Sequence, residues 1–226
     1  MSTTPITLYG FSSSNYYNKA KLALLLAGAD FNEVVVYPSD VNKGISPLKK
    51  VPCIQTAQGA ICESQVIVDY VAQCYPQAGL YPADAFEAAK VRELCTFLDV
   101  HMELVARRLH PEALWGGKQS EGLKEATKKE LQRNIKAFLA LAKFSPYVAG
   151  TTLTAADLAA YTHLPLIRMV GKRLFNEDLF AELDVMAYIK RMNEHPAFAK
   201  VAADAKADGP AFAAYIKKVS APPAAA

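Results

Sequence analysis

The period of the apolar residues changes once along this chain, and that change restricts the fold more than any single motif. Up to about residue 75, short strand-like runs interleave with helical segments. "ITLY" at 6–9 alternates as a strand, "FNEVVVY" at 31–37 is rich in β-branched residues, and an amphipathic helix between them runs to a stop signal at Gly28. After an irregular stretch from Pro38 to Lys50, "PCIQT" and "AICES" flank the turn "AQG" as an antiparallel hairpin. Val66, Ile67, Tyr70, Val71 and Cys74 then share one face of a helix. "PQAGLYPADAF" at 76–86, with two prolines and a glycine, interrupts the periodicity, and beyond it every period is helical. Val91, Leu94, Cys95, Leu98, Met102, Val105 and Leu109 predict one long helix over 84–110, followed by helices at about 120–144, 154–170, 178–194 and 196–207 and a short one at 210–219. The expectation is a small α/β domain followed by an all-α domain.

Composition removes several function classes. No apolar run approaches the roughly 18 residues of a membrane span, and "MSTTPITLYG" lacks the basic-then-apolar order of a secretory signal. Cys53, Cys62, Cys74 and Cys95 form no C-x-x-C pair and have no metal-ligand spacing to the histidines, so reduced thiols and no metal are expected. The net charge of +3 arises from 25 basic residues interleaved with 22 acidic ones, which does not favour nucleic acid as a partner. A cytoplasmic protein with no membrane partner is the reading, with "SAPPAAA" a frayed end.

Four local features carry chemistry or folding information. In "KKVPC" at 49–53, Pro52 opens the first hairpin strand, as a residue that cannot donate to a central ladder must. In "CESQVIVDYV", Glu63 and Ser64 stand at a helix start, where free N–H groups and the helix dipole suit an anion; Ser64 serves equally as an ordinary cap. In "GTTLTAADLAAY", Thr154 and Asp157 form a capping box with Leu153 and Leu158 as its hydrophobic staple. In "FSSSNYYNKAKLALLLAG" at 11–28, Ser12, Ser13, Ser14 and Asn15 crowd a helix start that needs one cap.

With this element order, the four features resemble the cytosolic glutathione transferases, over essentially the whole chain. The resemblance implies a thioredoxin-like domain at 1–78 with a mixed four-stranded sheet (βαβ-ββα), a linker at 79–83, an all-helical domain at 84–220 and a flexible tail at 221–226. It implies that Val51, before a cis Pro52, pairs through its backbone with the cysteinyl part of glutathione, in the manner of an added strand. Glu63 and Ser64 would hold the γ-glutamyl end, and Lys50 would reach the glycyl carboxylate or remain a solvated lysine. Ser14 falls where serine-type members place the residue that donates to the thiol; Tyr9, Ser12, Ser13 and Asn15 are the alternates. The register is open, because "NYYNKAKL" lacks the proline and the Arg-rich turn that many relatives carry. The capping box adds to the resemblance and contributes no site residue.

The implied reaction conjugates the glutathione thiolate, as co-substrate, to a small hydrophobic electrophile, with no tightly bound cofactor and in a homodimer. The pocket for that electrophile is expected from Phe11, Tyr16, His101, Met102, Val105, Arg108 and Trp115, with Leu109 alongside; Met102, Val105 and Leu109 suit core packing as well. A glutathione-dependent isomerase or peroxidase is an alternative. The isomerase branch resembles "SSCSW" in the catalytic loop, where this chain has "SSNYYN". A non-catalytic binding module of the same fold is the other.

Overall fold

The computed structural model describes residues 5–220, and the expected flexible tail at 221–226 lies outside them. A four-stranded sheet has the order β2-β1-β3-β4. Strand β1 (Ile6–Gly10) runs parallel to β2 (Phe31–Val35) and antiparallel to β3 (Cys53–Thr56), which pairs antiparallel with β4 (Gly59–Cys62). Parallel neighbours need a crossover, supplied by α1 (Asn15–Ala27), which ends at Gly28 in the left-handed conformation (φ 62°). Strand β2 stops at Val35, short of the expected Tyr37, because its partner β1 ends opposite at Gly10. Helix α2 (Ser64–Cys74) follows β4 directly. The mixed sheet and its element order match the sequence expectation.

The helical part comprises α3 (Ala85–Thr96), α4 (Leu104–Arg107), α5 (His110–Trp115), α6 (Glu121–Leu141), α7 (Ala155–Phe175), α8 (Val185–Met192) and α9 (Pro196–Ser220). The single helix expected over 84–110 is divided. A π-helical turn over Phe97–Glu103 separates α3 from α4, and the chain bends before α5. Pro111 accounts for the bend, since its ring clashes with a carbonyl four residues back and it has no N–H to continue the ladder. The helix expected at 178–194 is confined to α8, which starts where Asp184 accepts the Ala187 N–H at 2.9 Å. Conversely, the helices expected at 196–207 and 210–219 are one helix, α9, with Pro210 inside it.

One apolar core joins both parts: Leu8 and Ile54 of the sheet, Leu22 and Leu24 of α1, Leu94, Leu98 and Met102, and Leu158 and Leu164 of α7. The segment expected as a linker is tied down, with Leu80 buried and its carbonyl accepting from Ala155 N–H at 2.9 Å. The capping box forms at the start of α7. The wholly buried Asp157 carboxylate accepts the Thr154 N–H at 2.9 Å, the Val148 N–H at 2.9 Å and the Tyr188 hydroxyl at 3.1 Å. Among the described residues no helix is long and apolar enough to cross a membrane, and no group of three His, Cys, Asp or Glu side chains is placed to hold a metal.

Candidate active site

A cleft of about 850 Å³ opens between the loops after β1, before β3 and after β4 and the helical part. Lys50, Val51, Pro52, Glu63, Ser64 and Ser14 all line it. The Val51–Pro52 peptide bond is cis. The approach to it is pinned by the buried Ser46, whose hydroxyl donates to the Lys50 carbonyl at 2.8 Å and accepts the Lys50 N–H at 3.1 Å. Glu63 adopts φ 67° and ψ 117°, a conformation that non-glycine residues seldom hold and that often marks a ligand site. It occupies the cap position of α2 with no side-chain cap bond. Ser64 is the first residue inside that helix, 5% exposed, so it is not the cap. The first N–H groups of α2 are therefore at the cleft without a side chain to satisfy them.

In the crowded loop a single serine, Ser14, both caps the helix and faces the cleft. It is the N-cap of α1, its Oγ accepting the Tyr17 N–H at 3.4 Å, and it lines the cleft. A hydroxyl that accepts a cap bond keeps its own hydrogen to donate elsewhere. Ser12 and Ser13 line a separate recess of about 200 Å³ behind the loop. The Ser12 carbonyl accepts from the Asn18 amide at 2.8 Å, and the Ser13 N–H donates to Asp208 at 2.8 Å. Tyr9 pairs within the sheet against Val34 and Cys53 and does not line the cleft. Asn15 is buried behind it.

The helical wall corrects the sequence expectation. Phe11, Tyr16 and Trp115 line the cleft, but His101, Met102, Val105 and Arg108 do not. Met102 and Val105 are buried in the core and Leu109 in a second apolar cluster with Ala113 and Val170. His101 is exposed against Phe97, and Arg108 pairs with Glu130 at 2.7 Å. The apolar stripe of this helix serves the core, so the mixed face beside it, Asp99, Val100, Leu104 and Arg107, meets the cleft. The far end of α9 completes the wall. Phe212 stacks on Phe11 with centroids 5.1 Å apart, Tyr215 stacks on Tyr37 at 4.3 Å, and Ile216 and Val219 line the same side. Their 3- and 4-residue spacing was visible in sequence, but nothing there brought this last helix to the cleft.

Behind this wall lies a buried polar network joining α1, the π-helical turn and α7. Lys19, fully buried, donates to Asp99 at 2.5 Å, and Asp99 accepts from His163 Nε2 at 2.9 Å. The Asn15 amide lies 2.9 Å from His163 Nδ1 and donates to Glu103 at 3.0 Å. That assigns the imidazole proton to Nε2. Tyr16 donates its hydroxyl to Glu103 at 2.5 Å, and Arg107 pairs with the same carboxylate. Burial drives the Tyr16 phenol far above its ordinary range, with the Glu103 charge adding to it, so Tyr16 stays protonated. Burial also works to raise Asp99 and Glu103, but the bond from His163 to the one and that from Arg107 to the other hold both below the usual carboxylate range. His110 is pushed down to about 4 by burial, with the Arg107 charge contributing.

Family models describe the same arrangement: Glutathione S-transferase, N-terminal domain, matches residues 8–79, and Glutathione S-transferase, C-terminal domain, matches 97–196. The chain is 38% identical over 215 residues to a glutathione S-transferase of Pseudomonas putida, covering 94% of this chain and 98% of that one. The chain belongs to the glutathione S-transferase family. Among solved transferase structures, a tau-class enzyme of mango (Mangifera indica) superposes with a TM-score of 0.74 at 21% identity, covering 96% and 99% of the two chains. A bacterial zeta-class maleylpyruvate isomerase in its holo form superposes with a TM-score of 0.69 at 23% identity, covering 86% and 95%. At these identities the structural likeness speaks for the transferase fold alone.

Proposed function

We propose that this glutathione transferase lays the tripeptide across residues 1–78 and activates its thiol with Ser14, while residues 84–220 supply the wall for the electrophile. The observation that carries this reading is that Ser14, Val51 and the uncapped start of α2 line one cleft. Val51 pairs with the cysteinyl residue, Ser64 and the N–H groups beside it take the γ-glutamyl carboxylate, Glu63 meets the ammonium group, and Lys50 reaches the glycyl carboxylate. A thiol near pKa 8.5 is mostly protonated at neutral pH, and lowering it by about two units takes roughly 2.7 kcal/mol. A hydrogen bond from Ser14 to the anionic sulfur, with the positive end of α1 beside it, supplies energy of that order. The thiolate then forms its bond to an electrophilic carbon as the leaving group departs with the bonding electron pair. Proximity in a largely apolar cleft provides the rest of the acceleration.

The test is retention on immobilised glutathione followed by titration of the bound thiol's absorbance. The expected pKa is about two units below that of free glutathione, rising again in Ser14→Ala. Retention with an unshifted thiol reduces the protein to a binding module, and a shift caused by Tyr9→Phe instead removes Ser14 from its role. A glutathione-dependent isomerase is the second reading, favoured by the 28% identity over 102 residues to a maleylpyruvate isomerase of Ralstonia. The loop "SSNYYN", without the cysteine and tryptophan of "SSCSW", weighs against it. We also propose a homodimer, supported by Val66 on α2 and Phe86 on α3, exposed at 50% and 70%. Sedimentation should give twice the 24.6 kDa chain mass, and a single-chain mass removes the proposal. A cytoplasmic location accords with four free cysteines.

A further inference from the structure

We propose that Arg107 selects the second substrate, favouring electrophiles whose aromatic or unsaturated body carries a carboxylate. The inference rests on the transferase reading above and names the substrate class for the same cleft. Arg107 lines the cleft, with its guanidinium 5.0 Å from the centre of the Tyr16 ring, and Tyr16 follows Ser14 by two residues. Its side chain is 37% exposed, whereas that of its partner Glu103 is fully buried.

The guanidinium is clamped along one edge. Nε donates to Glu103 Oε2 at 3.1 Å, and Nη2 donates to Glu103 Oε1 and to Asn15 Oδ1, the latter at 3.1 Å. The Nη1 group makes no hydrogen bond among the described residues, so a fixed cation presents two unused donors. Holding a planar donor in place beforehand reduces the ordering cost of binding an acceptor.

The surrounding charges leave this one directed at the electrophile. Glu103 spreads its negative charge over Tyr16 and Asn15 as well as Arg107. Asp99, the other acid on this wall, is already paired with Lys19 and His163. Lys50 and Glu63 stand on the opposite α/β wall, assigned above to the tripeptide. Arg108, one residue on, is spent on Glu130 outside the cleft. Phe11, Trp115, Leu104 and Phe212 supply apolar surface for the body of the ligand, so a carboxylate at its end meets Arg107, the one cation among the described residues that line this wall. A carboxylate accepting from a charged donor in such surroundings makes a strong hydrogen bond.

The experiment uses the full chain, glutathione, and two electrophiles: 4-chloro-3-nitrobenzoate and its methyl ester. In both, sulfur bonds to the chlorine-bearing carbon and chloride leaves with the electron pair. Each rate is divided by its uncatalysed rate, which removes the difference in intrinsic reactivity. The expected result is a kcat/KM for the acid about tenfold above that for the ester, carried by KM. In Arg107→Lys, which keeps the charge and loses the fork, the ratio should fall towards one. The double variant Arg107→Gln with Glu103→Gln should do the same, and it leaves no buried carboxylate unpaired should the single variant fail to fold.

A wild-type ratio at or below one overturns the inference, as does a ratio unchanged in both variants. A bound thiol whose pKa rises in the Arg107 variants while the ratio stays fixed also overturns it, and assigns Arg107 to the sulfur instead. Good turnover of the ester with no preference for the acid sinks this inference alone. Loss of glutathione retention together with loss of all turnover sinks the transferase reading beneath it.

Discussion

The two walls of the cleft are built on different principles. On the α/β side the lining residues are placed by short-range backbone features: Val51 before cis-Pro52, the α2 start behind Glu63, and the loop capped by Ser14. On the helical side they are side chains, Asp99 and Arg107 held by a buried ionic network that reaches back to α1, and Phe212 and Tyr215 brought in by the last helix. Backbone geometry is set by turns and caps a few residues long and tolerates many side chains. The ionised side chains of the other wall depend partly on distant partners, as Asp99 does on Lys19, 80 residues away, and removing such a partner leaves an uncompensated charge. The first wall suits recognition of one constant ligand, the second variation in what is bound beside it.

The contrast predicts that stability is concentrated in the helical wall. The largest effect is expected from Asp99→Ala, which leaves Lys19 buried without its counter-ion; denaturant titration should show a loss of about 4 kcal/mol. Next comes a pH effect. His110 titrates near 6.5 in the unfolded chain and at about 4 in the fold. As pH falls the unfolded state takes up the proton first, so this contribution is complete above about pH 6.5 and is lost as pH drops through about 4. The loss amounts to about 3 kcal/mol, and His110→Phe should flatten the pH dependence across that window. A further acid loss below the usual carboxylate range should remain, because Asp99 and Glu103 are held below it.

Smaller effects sharpen the comparison between the walls. Tyr16→Phe removes one donor from Glu103 and should cost about 1.5 kcal/mol in a thermal melt. It should leave the pKa of the bound thiol unmoved, since the phenol is committed to the carboxylate; a raised thiol pKa would place Tyr16 beside Ser14 in activation. The smallest effect belongs to the α/β wall. Lys50→Met should weaken glutathione binding about threefold by calorimetry, roughly 0.7 kcal/mol, with no change in unfolding midpoint. A much larger loss would mean that Lys50 meets the ligand in a desolvated ion pair rather than a solvated one.

Legibility in the sequence followed the same division. The stop at Gly28, the hairpin around "AQG", Pro52 at the strand opening and the Thr154–Asp157 box are signals a few residues long, and each lies where the spacing indicated. Within "FSSSNYYN" the spacing leaves open which hydroxyl caps α1, because that depends on the exact path of the loop; Ser14 is the cap and also lines the cleft. By spacing alone Met102 and Val105 suit either the cleft or the core; the structure gives them to the core, and the π-helical turn over Phe97–Glu103 leaves no mark in the apolar spacing.

The order of strands and helices was therefore determined by the sequence itself, through periodicity, glycine and proline stops and local caps, whose energies act over a few residues. The distant partners, Lys19 and His163 for Asp99 and Asn15 and Tyr16 for Glu103, and the arrival of α9 over Phe11 and Tyr37, were decided by tertiary structure. Electrostatic and packing energies depend on distance in space, and residues 15, 103 and 163 become neighbours only once the core has closed around them.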